Sequence, residues 1–128
     1  MSKTVYTSSA PEAIGPYSQA KVVGDLVFTS GQIPINPATG QVEAEGIREQ
    51  THQVCKNLAA VLEAAESSLE CAVKTMCFLR NMEDFSAFNE VYAEYFVSKP
   101  ARSCVAAREL PKNVLVEVEV IAQLKAQQ

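Results

Sequence analysis

Two short stretches of this chain hold side chains that packing alone would not call for. The first is Pro100-Ala101-Arg102-Ser103-Cys104 and the second is Val114-Leu115-Val116-Glu117-Val118-Glu119-Val120-Ile121. A guanidinium offers a planar fork of N–H donors that matches a carboxylate, and a carboxylate beside it could orient a water and take its proton. Pro100 favours an extended entry, and side chains two apart on a strand share a face, so Arg102 and Cys104 should point the same way. A thiol beside that guanidinium could have its thiolate favoured, or could be an inert strand thiol. In the second stretch Val114, Val116, Val118 and Val120 read as a buried face, and Glu117 and Glu119 share the other with Leu115 and Ile121. That acidic pair is either a solvated face or part of a site, and the alternation leaves both carboxylates open as the one that reaches a ligand.

The elements that must position these residues follow from pattern. Thr4 to Tyr6 is a short strand candidate, and the two prolines and the glycine from Ala10 to Tyr17 make a stiff loop. Such a loop could present Tyr17 as a binding group or lay it over the core as a lid. Ala20–Val23 and Leu26–Ser30 read as a hairpin turning at Gly24-Asp25. Gly31, at the strand end, suits either a positive φ or a close approach to the backbone. From Ile47 the period changes: Ile47, Thr51, Val54, Leu58, Val61, Leu62 and Ala65 fall on one face of a helix of about five turns. That helix ends at Glu66-Ser67-Ser68 without the usual glycine. Val73–Leu79 reads as a strand, and Asn81 as the cap of a second helix with Phe85, Phe88, Tyr92, Tyr95 and Phe96 as its buried stripe.

The chain of 128 residues is read as one domain, 1–128, with 48% hydrophobic residues, enough for a core without staples. A formal charge of -4 offers no basic field for a nucleic-acid backbone. No apolar run approaches the roughly 18 residues of a membrane span, and the start lacks a signal peptide's apolar core, so a cytoplasmic protein with no membrane partner is expected. Cys55, Cys71, Cys77 and Cys104 make no Cys-x-x-Cys pair, and His52 is the single histidine. The reading is therefore four free thiols, no metal and no cofactor, with His52 an ordinary residue at the border of the helix stripe.

The element order implies an α+β fold, a single mixed β-sheet with both helices laid on one face by right-handed crossovers. The other face has no cover, yet Leu26-Val27-Phe28 and Met76-Cys77-Phe78-Leu79 are apolar on both sides. Other copies of the chain are expected to bury it, and a site at that interface would draw on two subunits.

Gly15-Pro16-Tyr17, Thr29-Ser30-Gly31-Gln32-Ile33-Pro34, Asn89-x-x-Tyr92, Pro100-Ala101-Arg102-Ser103-Cys104 and Leu110-Pro111-Lys112 ahead of Val116-Glu117-Val118-Glu119 occur in order over nearly the whole length. In these the chain closely resembles the RidA family, also called YjgF. The resemblance implies a chorismate-mutase-like fold, a homotrimer with clefts between subunits, and hydrolysis of 2-imino acids without a cofactor. Its implied substrates are 2-iminobutanoate and 2-iminopropanoate, formed from enamines released by pyridoxal-phosphate dehydratases, and the products are 2-oxo acids and ammonia. By the same resemblance Arg102 binds the carboxylate, Glu117 positions the water, Tyr17 is the cleft tyrosine, and Gly31 and Cys104 line the cleft. Three departures stand beside it: a short Val97-Ser98-Lys99 before Pro100, with Lys99 where an aromatic is common, Glu66-Ser67-Ser68 where a glycine often ends the first helix, and one extra residue at Arg108-Glu109-Leu110. A non-enzymatic member that binds small carboxylates or shields other proteins is the alternative. RNA cleavage suits an acidic chain with one histidine poorly.

Overall fold

The computed structural model describes residues 2–126. In it β1 (Ser2–Val5), β2 (Ala20–Val23), β3 (Leu26–Thr29), β6 (Ala72–Leu79), β7 (Ala101–Ala106) and β8 (Val116–Gln123) form one sheet in the order β1-β2-β3-β8-β6-β7. β4 (Ile35–Asn36) and β5 (Gln41–Val42) pair separately. β6 and β7 are parallel and every other neighbour in the large sheet is antiparallel, so the sheet is mixed. The helices α1 (Ile47–Ala64) and α2 (Phe85–Tyr95) provide the crossovers. The fold is α+β, as the element order implied.

One face of the sheet and both helices share the core. Val54, Leu58, Val61 and Leu62 of α1 and Phe88 of α2 are buried together with Val27, Cys77, Leu79, Val116, Val118 and Val120. Each such side chain removed from water contributes about 1.5–3 kcal/mol. The buried β8 positions are the even ones, which leaves Glu117, Glu119 and Ile121 on the opposite face. Phe28, 40% exposed, and Val105, 46% exposed, lie on that open face, with Met76 and Phe78 partly covered between them. No helix of the described residues covers it, and none is long and apolar enough to cross a membrane.

β3 ends at Thr29 and β6 begins at Ala72, each one residue from expectation, and three further boundaries differ for local reasons. β8 begins at Val116, because Val114 packs instead in a second small cluster with Ile33 and Ile35. β1 begins at Ser2 and ends at Val5, extended by its pairing with β2, and Tyr6 stands outside it. Asn81 does not cap the second helix: it precedes a short 3-10 turn, Met82–Asp84, without a side-chain capping hydrogen bond, and α2 starts after that turn at Phe85, also without a side-chain cap. The missing glycine at the end of α1 is replaced by strain: Glu66 takes φ 65°. Its N–H reaches the Glu63 carbonyl at 3.0 Å and the Ser67 N–H reaches that of Leu62 at 2.8 Å, a Schellman closure built on a non-glycine residue.

Candidate active site

β3 leaves the sheet with a bulge. Phe28 faces Ile121, but the next bridge pairs Gln32 with Val118, so the segment Thr29-Ser30-Gly31 carries one residue more than the stretch of β8 opposite it. Gln32 and Val118 exchange backbone hydrogen bonds of 2.8 and 3.2 Å, and Thr29 Oγ1 accepts the Val120 N–H at 2.9 Å. The bulge brings the Gly31 backbone against the Glu117 side chain. A Cβ on Gly31 would stand 2.0 Å from Glu117 Oε2, and Gly31 has no positive φ, so close approach is what requires this glycine.

The loop carrying Tyr17 is clamped from below by Gln19, which is 2% exposed. The Gln19 side chain accepts the Thr7 N–H at 2.7 Å and donates to the carbonyls of Thr7 at 3.0 Å and Pro11 at 2.8 Å. Ser30 Oγ donates to the Ser18 carbonyl at 2.6 Å, tying the loop to the bulge. Tyr17 is exposed and no lid over the core, and its hydroxyl accepts the Ile14 N–H at 3.2 Å. Tyr17, Gly31 and Glu117 line one open cavity of about 300 Å³ with Ile14, Ser30, Ile33 and Pro111. Glu119, exposed on the same face of β8, lies opposite Met76 and does not line it. Burial first, and then the Glu119 charge, hold the Glu117 carboxyl above its ordinary value.

Arg102 and Cys104 form a second group. They lie opposite Thr75 and Cys77 in the β6–β7 register, so their side chains stand on the helix face. Arg102 Nη1 donates to Asn89 Oδ1 of α2 at 2.7 Å, and its Cζ lies 4.8 Å from the centre of the Tyr92 ring and 5.5 Å from that of Phe85. A guanidinium over aromatic faces is attracted by their quadrupoles. Arg102 also lines a cavity of about 430 Å³ with Tyr92, Phe96, Lys99 and Pro100. For Cys104 burial outweighs the Arg102 charge and the thiol is pushed up, contrary to a favoured thiolate. Cys77 behind it is pushed up to about 12, chiefly by burial.

Within one chain, then, Arg102 and Glu117 lie on opposite faces of the sheet. Tyr17, Gly31 and Glu117 come together, Arg102 and Cys104 come together, and the two groups do not meet. The sequence shows Asn89 only as part of the Asn89-x-x-Tyr92 motif, and its hydrogen bond to Arg102 places it in the second group. The polar type of Asn89 on the otherwise apolar face of α2 was the available signal. His52 pairs with Tyr95, Nδ1 to hydroxyl 2.8 Å, far from both groups in its contacts. The extra residue near Glu109 is absorbed before β8, where Lys112 and Asn113 both take positive φ, and the register stays unbroken from Lys74 opposite Ile121 to Leu79 opposite Val116.

The family model described as Endoribonuclease L-PSP matches residues 7–124. A 2-iminobutanoate/2-iminopropanoate deaminase of Escherichia coli is 44% identical over 126 residues, covering 95% of this chain and 98% of that protein. The crystal structure of the Rid-family protein YyfA from Yersinia pestis superposes with a TM-score of 0.94 at 46% identity, covering 97% of this chain and all of that one. That of E. coli TdcF with bound serine superposes with a TM-score of 0.91 at 40% identity, covering 96% and 99%. With a matching family model over nearly its whole length and relatives this close, the chain belongs to the RidA/YjgF family.

Proposed function

We propose that this protein hydrolyses 2-imino acids such as 2-iminobutanoate and 2-iminopropanoate to 2-oxo acids and ammonia, in clefts of a homotrimer where Arg102 of one copy faces Glu117 of the next. The observation that carries the reading is the division of the site. A carboxylate-binding fork stands ready at the sheet edge, and a partly desolvated carboxylate stands on the face that the chain itself leaves bare. Each group alone is half of a hydrolytic site. The apolar open face with Phe28 and Val105 is the surface that would bring a second copy against Glu117.

In this reading Arg102 holds the substrate carboxylate and so fixes the plane of the conjugated iminium. Its carbon is already electrophilic. Glu117 takes a proton from water as the oxygen adds to that carbon, giving a carbinolamine, and returns the proton to nitrogen; as the carbon–nitrogen bond breaks, the hydroxyl proton passes to the departing ammonia and the C=O bond forms. Iminium and water become oxo acid and ammonium, with Glu117 regenerated. A carboxyl raised above its ordinary value is better matched to that two-way transfer near neutral pH. Tyr17 and Gly31 close the Glu117 side, and Cys104 lines the Arg102 side as a neutral thiol.

The second reading is a carboxylate-binding module, favoured by the Arg102 group, which is built within one chain. The test adds purified protein to a pyridoxal-phosphate dehydratase making 2-iminobutanoate and follows 2-oxobutanoate. Faster oxo-acid formation supports the hydrolase. An unchanged rate with measurable binding of 2-oxobutanoate overturns it in favour of the module. Light scattering should give three chain masses, and a monomer at micromolar concentration would remove the shared cleft.

A further inference from the structure

Arg102 is enclosed on three sides by residues that leave it little freedom. Tyr92 lies beneath the guanidinium, its own hydroxyl fixed to Thr75 Oγ1 at 2.7 Å and its ring stacked on Phe96 at 4.4 Å between centroids. Thr75 is the residue directly opposite Arg102 in the parallel register, so floor and guanidinium are set from the same point of the sheet. Phe85 stands to one side. Asn89, three residues before Tyr92 on α2, accepts from Nη1 through its Oδ1. Only the amide oxygen can accept from a cation, so the orientation of the Asn89 amide is fixed by the bond.

A guanidinium can grip a carboxylate through its two Nη atoms or through Nε and Nη2. The Asn89 amide engages one N–H of Nη1, so the first of these edges shares a nitrogen with a bond already made. The Nε–Nη2 edge has no protein partner among the described residues. We propose that Asn89 is a positioning residue that selects this edge: by holding Nη1 it presents Nε and Nη2 as the fork on which the substrate carboxylate docks. Resting on the function proposed above, this assigns the orientation of the substrate, because the edge used determines the plane in which the imine carbon faces its attacking water. Preorganising the fork also removes an ordering cost from binding.

The test follows the Arg102 Nε–H resonance of ¹⁵N-labelled protein, assigned by its disappearance in Arg102→Lys, during titration with 2-oxobutanoate. The Nε–H signal should move with occupancy. Asn89→Ala should raise the Kd of 2-oxobutanoate by about ten- to a hundredfold and lower kcat for the imine as well, because a fork free to turn no longer fixes the plane in which the imine carbon meets its water. Asn89→Asp keeps the shape and the bond to Nη1, so its Nε–H signal should stay as sharp as in the native protein while the added charge weakens oxo-acid binding. An Nε–H signal unmoved at saturation, or a Kd in Asn89→Ala within twofold of native, overturns the proposal. So does an Asn89→Asp variant that binds as tightly as the native protein, which keeps the question decidable if Asn89→Ala does not fold. Should the native protein bind no oxo acid, the functional reading fails, and the ligand-free Nε–H line width still reports on Asn89: it should broaden in Asn89→Ala, and an unchanged line overturns the positioning role by itself.

Discussion

Replacing Gly31 by alanine tests the Glu117 half of the site without touching a charged group. The new Cβ would stand 2.0 Å from Glu117 Oε2, 2.9 Å from Cδ and 3.0 Å from Cγ, so the carboxylate must retreat by about 1.4 Å to reach ordinary contact at 3.4 Å. Relief is available by rotating the Glu117 side chain, because the clash falls on its far end. Gly31 has no positive φ, so alanine meets no backbone strain. Fewer unfolded conformations would even stabilise the fold by about 0.4–1 kcal/mol, against the cost of moving one half-buried carboxylate. Stability should change little and the melting temperature should stay within about 4 °C. Turnover should not survive so well, since a displacement of about 1 Å in a positioned group can cost about 10² in rate. The assay is steady-state imine hydrolysis beside calorimetric binding of 2-oxobutanoate, with kcat/KM expected to fall about a hundredfold and Kd to hold within about threefold, because Arg102 is on the other face. The double variant Gly31→Ala/Glu117→Gln should be no worse than Glu117→Gln alone, as residues acting through one group are not additive. Full activity in Gly31→Ala, or independent losses in the double variant, would refute the reasoning.

Glu117→Gln should lower kcat by about 10² to 10⁴ and leave oxo-acid binding intact, whereas Glu119→Gln, exposed and outside the cavity, should do little; loss confined to Glu119→Gln would mean that the wrong carboxylate has been assigned. The folded value of Glu117 is raised, so the native protein holds its full stability from this group below the unfolded value of about 4.3 and loses it as pH rises through the folded value. Glu117→Gln should accordingly melt above the native protein at pH 7 to 8, with the difference vanishing below about pH 4 in a pH series of thermal melts. Arg102→Lys keeps charge but loses the planar fork and should bind weakly, and Arg102→Ala should lose about two to four powers of ten in kcat/KM; an unchanged value in the alanine variant would rule out its role. Cys104→Ser should retain most activity, since burial keeps the thiol protonated, and a collapse comparable to Arg102→Ala would reveal a covalent step.

Much of this protein is local enough to be legible in its amino-acid order. The stripe from Ile47 to Ala65 is α1, and the valines of β8 alternate as read, because a helix and a strand each impose a period on whatever they bury. The element order implied one mixed sheet, since a parallel pair needs a crossover and crossovers have one hand. Where local rules competed the reading shifted: Val114 satisfies an alternating pattern but is captured by Ile33 and Ile35, and Asn81 stands before a short 3-10 turn without capping it while α2 begins further on.

The site is a different matter. Its residue types and the shared face of Arg102 and Cys104 follow from spacing, yet alternation gave Glu117 and Glu119 equal standing. Only the bulge at the end of β3 separates them, by bringing Gly31 onto one and leaving the other exposed. Likewise nothing in Asn89-x-x-Tyr92 says that α2 will cross above Arg102, and nothing in the spacing of Arg102 and Glu117 says that they stand on opposite faces of one sheet. Sequence spacing determines the face of a side chain relative to its own strand. Which strands become neighbours, in which register and direction, depends on contacts between segments far apart in the chain, and that is why the tertiary structure alone decided how the candidate site is divided.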